Sequence, residues 1–140
     1  MKRKFYGFTL IELVVVIAII GVIVAIATPQ VLRTIQNAQK RADSQTARHI
    51  AYAFLMWQEE TGKNLSEIIP DSNIHKISSN LVGNPPELDL TRYIQGSLPR
   101  PRLNKNYYFY YKYESSVLKI YAGDDSNQWE LFPEFDENYK

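Results

Sequence analysis

The sequence predicts an α+β protein, with one long amino-terminal helix packed on a small antiparallel sheet of about three strands. Three observations carry this reading. An apolar run, FTLIELVVVIAIIGVIVAIAT, occupies residues 8–28 with a single charge, Glu12. Apolar residues then recur at spacings of three and four as far as Trp57, the pattern of an amphipathic helix. Near the carboxyl end, aromatic and β-branched stretches are separated by short polar turns, as strands of a meander are.

The helix begins with a transmembrane character. Phe8 to Thr28 is long enough to cross a bilayer, and a lone span must be helical because lipid offers no partner to backbone groups. Lys2, Arg3 and Lys4 precede it, which places the amino terminus on the cytoplasmic side and the following domain outside. A secretory signal peptide carries its small residues after the apolar stretch. Here Gly7 comes before it, so a cut after Gly7 removes the charged leader and leaves the apolar segment on the chain. A carboxylate such as Glu12 costs about 2.5–3.5 kcal/mol at a bilayer centre on insertion scales, so it calls for a partner.

These residues resemble the class III leader of type IV pilins and of the pseudopilins of type II secretion. The resemblance covers residues 1–29: the basic leader, Gly7, Phe8, Thr9-Leu10-Ile11-Glu12, the apolar run and Pro29. It implies that a membrane-embedded prepilin peptidase cuts the Gly7–Phe8 bond and methylates the new amine of Phe8. It also implies that Glu12, the fifth residue of the processed chain, meets the terminal amine of a neighbouring subunit during assembly. The electrostatics agree, since an acid and an ammonium held in apolar surroundings relieve each other's desolvation. Gly21 and Pro29 weaken the helix, one by low propensity and one by a missing backbone donor. They are expected to bend it, and the resemblance adds local unwinding between them when subunits pack.

After Pro29 the stripe runs through Val31, Ile35, Ala38, Ala42 and Thr46, then Ala47, Ile50, Phe54 and Trp57. Arg33, Lys40, Arg41, Asp43, Arg48, Glu59 and Glu60 are assigned to the wet side, and Gly62 to a left-handed stop. The divisions expected are leader 1–7, membrane and filament-core helix 8–29, amphipathic spine 30–62, variable loop 63–105, sheet 106–133 and acidic tail 134–140. Within the loop, Leu65 to Ile69 and Glu87 to Ile94 are expected as short helical turns. The strands are read at 106–114, 117–122 and 128–132, with turns at Ser115-Ser116 and at Gly123 to Asn127. A hairpin alone is marginal in water, so the sheet needs the Trp57 stripe to pack on.

Composition bounds the chemistry. Three of the sixteen Lys and Arg residues lie in the leader, leaving thirteen against fifteen Asp and Glu, or −2 before the termini. That balance gives no general affinity for nucleic acid. Without cysteine there is no disulfide, thiol nucleophile or cysteine metal site. Many type IV pilins close their carboxyl-terminal region with a disulfide, so the chain departs from that subgroup.

Several candidates remain. About half of the tyrosines in 107–113 should face the core rather than a ligand. Arg100, Arg102 and Lys105 form a small basic group that a phosphate backbone could touch, with a solvated loop as the favoured reading. Asp124, Asp125 and Asn127 offer oxygens to calcium but lack the EF-hand spacing, so a turn is favoured. His49 and His75 join no zinc or triad pattern. Glu134, Asp136 and Glu137 read as a frayed, solvated tail.

The expectation is a structural subunit without catalytic, metal or cofactor residues. A type IV pilin, major or minor, is favoured. The alternatives are a type II pseudopilin and, from another class, a non-polymerising membrane-anchored module that binds DNA or glycan. The implied partners are prepilin peptidase, other pilin subunits, an inner-membrane assembly platform and, before assembly, membrane lipid; nucleic acid is not expected. The implied location is the cytoplasmic membrane, single-pass with the carboxyl-terminal domain outside, and then a surface filament.

Overall fold

The structure, a computed structural model, describes residues 7–96 and 98–140. Lys2, Arg3 and Lys4 of the leader lie outside the described residues. The remainder divides into two compact units, with the boundary between Asn37 and Ala38.

Helix α1 (Leu10–Thr61, 52 residues) contributes to both units. In the first, it runs without interruption through Gly21 and Pro29. Pro29 has no N–H to give the Ala25 carbonyl, while the Thr28 hydroxyl donates to the Val24 carbonyl at 2.7 Å. Its apolar side chains are exposed all along this stretch, including Ile17, Ile20 and Ile23. A helix apolar all round finds its solvent in lipid or in other helices, and this one is long and apolar enough to cross a membrane.

In the second unit α1 becomes one-sided. Ala47, Ile50, Ala51, Phe54 and Trp57 are buried, and the helix ends where Gly62, at φ +69°, turns left-handed and donates its N–H to the Gln58 carbonyl at 2.9 Å. Helix α2 (Leu65–Ile68) follows, started by Asn64, whose N–H donates to the Glu67 carboxylate and whose side chain accepts from the Ser66 N–H. Short strands come next: β1 (His75–Lys76), β2 (Leu81–Val82) and β3 (Leu88–Asp89), then a 3-10 turn at Leu90–Arg92. The long strands are β4 (Tyr108–Glu114), β5 (Val117–Gly123) and β6 (Gln128–Phe132).

The main sheet is antiparallel, in the order β1-β4-β5-β6, and β2 pairs with β3 in a separate ribbon. The expected three-stranded meander is therefore present with β1 added on its outer edge, where His75 faces Tyr111 and Lys76 faces Tyr110. The helical turn expected at Glu87 to Ile94 is shorter than read. Leu88 is committed to pairing with Val82, and the Asp89 carboxylate caps the Thr91 N–H, so the turn starts at Leu90. Ser115 and Ser116 make the two-residue hairpin, both at positive φ. On β6 the register slips so that Ile120 faces Phe132 while Tyr121 faces Glu130. The extra residue, Leu131, is buried.

The core lies between α1 and one face of this sheet. Phe54 meets Tyr111 at 5.2 Å between ring centroids, and Phe109, Leu118, Ile120 and Ala122 complete the layer with Trp57. Alternation into and along β4 holds as expected: Tyr107, just before the strand, and Phe109 and Tyr111 on it join the core, while Tyr108 and Tyr110 do not.

Two expectations fail. Asp43 is not on the wet side. It is fully buried, and its carboxylate accepts the N–H groups of Arg102 (2.6 Å) and Leu103 (3.0 Å) and the Tyr139 hydroxyl (2.8 Å). The end of the chain is not frayed either. Tyr139 is fully buried against Tyr107 and Trp129, and the Tyr107 hydroxyl donates to the Lys140 carbonyl at 2.8 Å. Charge on Glu134, Asp136 and Glu137 hid the aromatic anchor at Tyr139.

Candidate functional site

Gly7, Phe8 and Thr9 precede α1 in irregular backbone, and Phe8 is 81% exposed. Exposed, non-helical chain of this kind is what a peptidase can reach. A side chain built at Gly7 meets nothing within 4 Å. The described residues therefore make no demand for glycine there.

Thr9 is the cap of α1 and Glu12 its third residue. The Glu12 carboxylate accepts the Thr9 N–H (2.8 Å) and hydroxyl (2.7 Å), and the Glu12 N–H points at the Thr9 hydroxyl oxygen at 3.4 Å. This is a capping box, in which the first turn's orphan donors are satisfied reciprocally. The partner that Glu12 calls for is thus supplied within the isolated chain by Thr9. The Thr-x-x-Glu spacing before an apolar run is a readable signal for it, and reading Glu12 by its cost in lipid and by a neighbour's amine passed over it. Phe8, Ile11, Glu12, Val15 and Val16 line one shallow apolar groove around this carboxylate.

The family model described as the prokaryotic N-terminal methylation motif matches residues 2–28. The chain carries a class III leader. No curated protein and no solved structure matches the chain. The motif takes in Gly7, Phe8, Glu12 and Gly21 and stops before Pro29. That leader is the kind type IV pilins and pseudopilins carry, and the match supports a pilin-like or pseudopilin protein. A class III leader implies processing by a prepilin peptidase and assembly with other subunits of the kind. With the apolar helix behind it, the leader points to membrane anchoring followed by a filament.

The other candidates sit apart from the leader. Arg100 lies 3.8 Å over the Tyr108 ring and Lys76 3.9 Å from the same ring centroid. Arg102 joins Arg100 along an open groove with Thr46 and Leu98, a groove that Lys105 does not line. Asp124 spends its carboxylate on its own turn, accepting the N–H groups of Ser126 (2.9 Å) and Asn127 (2.7 Å). Asp125 accepts from the Lys76 ammonium (2.7 Å) and the Tyr110 hydroxyl (2.8 Å), and these two hold its carboxyl below the usual range. Burial, then the Asp125 charge, push the Tyr110 phenol well up. His75 bonds Asp71 at 2.6 Å and stacks on Tyr111, while His49 stands exposed on α1 beside Arg102. Among the described residues no three His, Asp or Glu side chains group as metal ligands would.

Proposed function

We propose that the chain is a structural subunit of a type IV pilus, major or minor, cut between Gly7 and Phe8, methylated on Phe8 and then polymerised. The observation that carries this is the methylation motif over residues 2–28, set on an exposed Gly7–Phe8 bond directly ahead of a helix whose apolar residues face outward all round. The steps follow from the physics. The span inserts with Lys2, Arg3 and Lys4 on the cytoplasmic side of the inner membrane. Cleavage at Gly7–Phe8 creates an ammonium at Phe8. Glu12 of one subunit turns from Thr9 to the amine of a neighbour, exchanging neutral donors for a charged one. The apolar helices then leave lipid for each other, driven by close packing, since lipid tails are as apolar as the side chains they cover. Gly21 and Pro29 mark where the helix yields during that packing.

Pseudopilins of the major type hold calcium near their carboxyl end, and a pilus is favoured here because Asp124 and Asp125 already accept from protein donors, which weakens the case for a calcium loop. The test is to shear cells of the source organism and measure intact masses in the released filaments. A species beginning at N-methylated Phe8 is the expected result. A processed chain that stays in the membrane would favour the pseudopilin, and an uncut Met1 form would overturn processing altogether.

A further inference from the structure

Asp43 is the buried charged side chain among the described residues, and no cation lies within ion-pair distance of it there. An isolated buried carboxylate costs several kcal/mol unless its lone pairs are filled. Here they are filled by three donors from two distant segments. Oδ1 accepts the Arg102 N–H, and Oδ2 accepts both the Leu103 N–H and the Tyr139 hydroxyl, across sequence separations of 59, 60 and 96 residues. Each donor stabilises the same charge, so losing one weakens the reason for the others to stay.

The second segment is tied further. The Tyr139 N–H donates to the Asp136 carbonyl, the Asp136 N–H donates to the Glu130 carbonyl on β6, and the Tyr139 ring packs among Tyr107, Trp129 and Phe135. The first segment includes Pro101, which is buried, and its Arg102 side chain joins that of the preceding Arg100 along the surface groove.

We infer that Asp43 is a conformational clasp, which couples the 101–103 segment to the 136–140 segment through α1 so that the two open together. Among the described residues no hydrogen bond joins 101–103 directly to 136–140, and this carboxylate is the acceptor they share. If Tyr139 withdraws, Oδ2 loses its hydroxyl donor and water must enter to replace it, which loosens the two N–H bonds on the other side. The coupling is reciprocal, as any coupling free energy is. It is a property of the second unit and holds whichever filament the chain serves.

The experiment is hydrogen exchange on the full chain in detergent micelles, comparing the parent with Tyr139→Phe and Asp43→Asn. Tyr139→Phe keeps the ring and removes one hydroxyl. It should speed exchange of the Arg102 and Leu103 amides about tenfold, although the changed atom belongs to a residue 36 positions away from Leu103 in the sequence. Asp43→Asn should speed those amides and those of Asp136 and Tyr139 together. The Ile77 amide, which donates to the Phe109 carbonyl across the β1–β4 edge, should not change in either variant. Unchanged Arg102 and Leu103 exchange in Tyr139→Phe would overturn the clasp, leaving two independent anchors. A uniform rise that includes Ile77 would overturn it too, by showing only global loss of stability. Should Asp43→Asn fail to fold, Tyr139→Phe decides alone.

Discussion

On the proposed function Glu12 has two partners at different times, Thr9 and a neighbour's amine, and they ask different things of it. In the single chain it accepts two hydrogen bonds from Thr9, which need an oxygen acceptor but not a charge. Beside a neighbour's ammonium it would need the charge as well. Glu12→Gln separates these demands, because its amide oxygen can still close the box. It should be processed normally and yet give filaments at a small fraction of the parent yield. Glu12→Ala should assemble as poorly and also lose the carboxylate half of the capping box, with Thr9 still capping the residue-12 N–H. Normal filament yield from Glu12→Gln would sink the charge pairing while leaving the capping box untouched. Gly7→Leu makes the complementary point on the other side of the scissile bond. Nothing among the described residues crowds that position, so the variant should fold and insert as before but remain at its unprocessed mass. A mature mass from Gly7→Leu would show that glycine is not what the peptidase reads.

The β4–β5 hairpin holds a correctable strain. Ser115 and Ser116 sit at φ 52° and 64°, a left-handed turn that suits the twist of the flanking strands but not a serine side chain. Glycine takes that conformation freely. Ser116→Gly should therefore raise stability by about 0.5–1 kcal/mol, less than the full steric relief because the unfolded chain also gains freedom. Thermal unfolding in micelles is the check, and a lowered midpoint would mean the turn is not what limits the hairpin. Gly123 is the opposite case. A side chain there would run into the backbone of Asn127 and Gln128, so the next turn closes only over glycine.

These turns were legible because their signals are local: two polar residues between alternating strands, or Gly62 after a helical stripe. The strand at His75–Lys76 was not, since two residues carry no period and their partner lies on β4. Asp43 failed for a different reason. It lies four residues before Ala47 and seven before Ile50, on the same stripe, yet a charged side chain was given to water by type alone. Its donors arrive from residues 102, 103 and 139, and nothing near Asp43 in the sequence announces them. The methylation motif over residues 2–28 was legible, and what remained hidden beside it was the bond between Thr9 and Glu12.

Tyrosine burial gives the second unit a common response to alkali. Tyr139, Tyr110 and Tyr111 are all buried, and burial is the first cause that raises each phenol above its ordinary value near 10, with Asp43 adding to Tyr139 and Asp125 to Tyr110. A group whose folded pKa is raised contributes stability that is complete below the unfolded pKa and is lost as pH climbs past it. The unfolded chain then sheds protons that the folded chain still holds. The thermal midpoint in micelles should accordingly stay level up to about pH 10 and then fall, each such tyrosine contributing at most about 1.4 kcal/mol per pH unit. Lys63 and Lys119, raised by Glu87 and Glu130, act in the same direction, but exposed ion pairs weigh little. Tyr139→Phe removes one titrating group from the core and leaves the others. Its midpoint should start lower at neutral pH, because Asp43 loses a donor, and should decline less steeply above pH 10. A decline as steep as the parent's would mean that the Tyr139 phenol ionises no differently in the folded and unfolded chains, and that its bond to Asp43 contributes nothing to holding the second unit together.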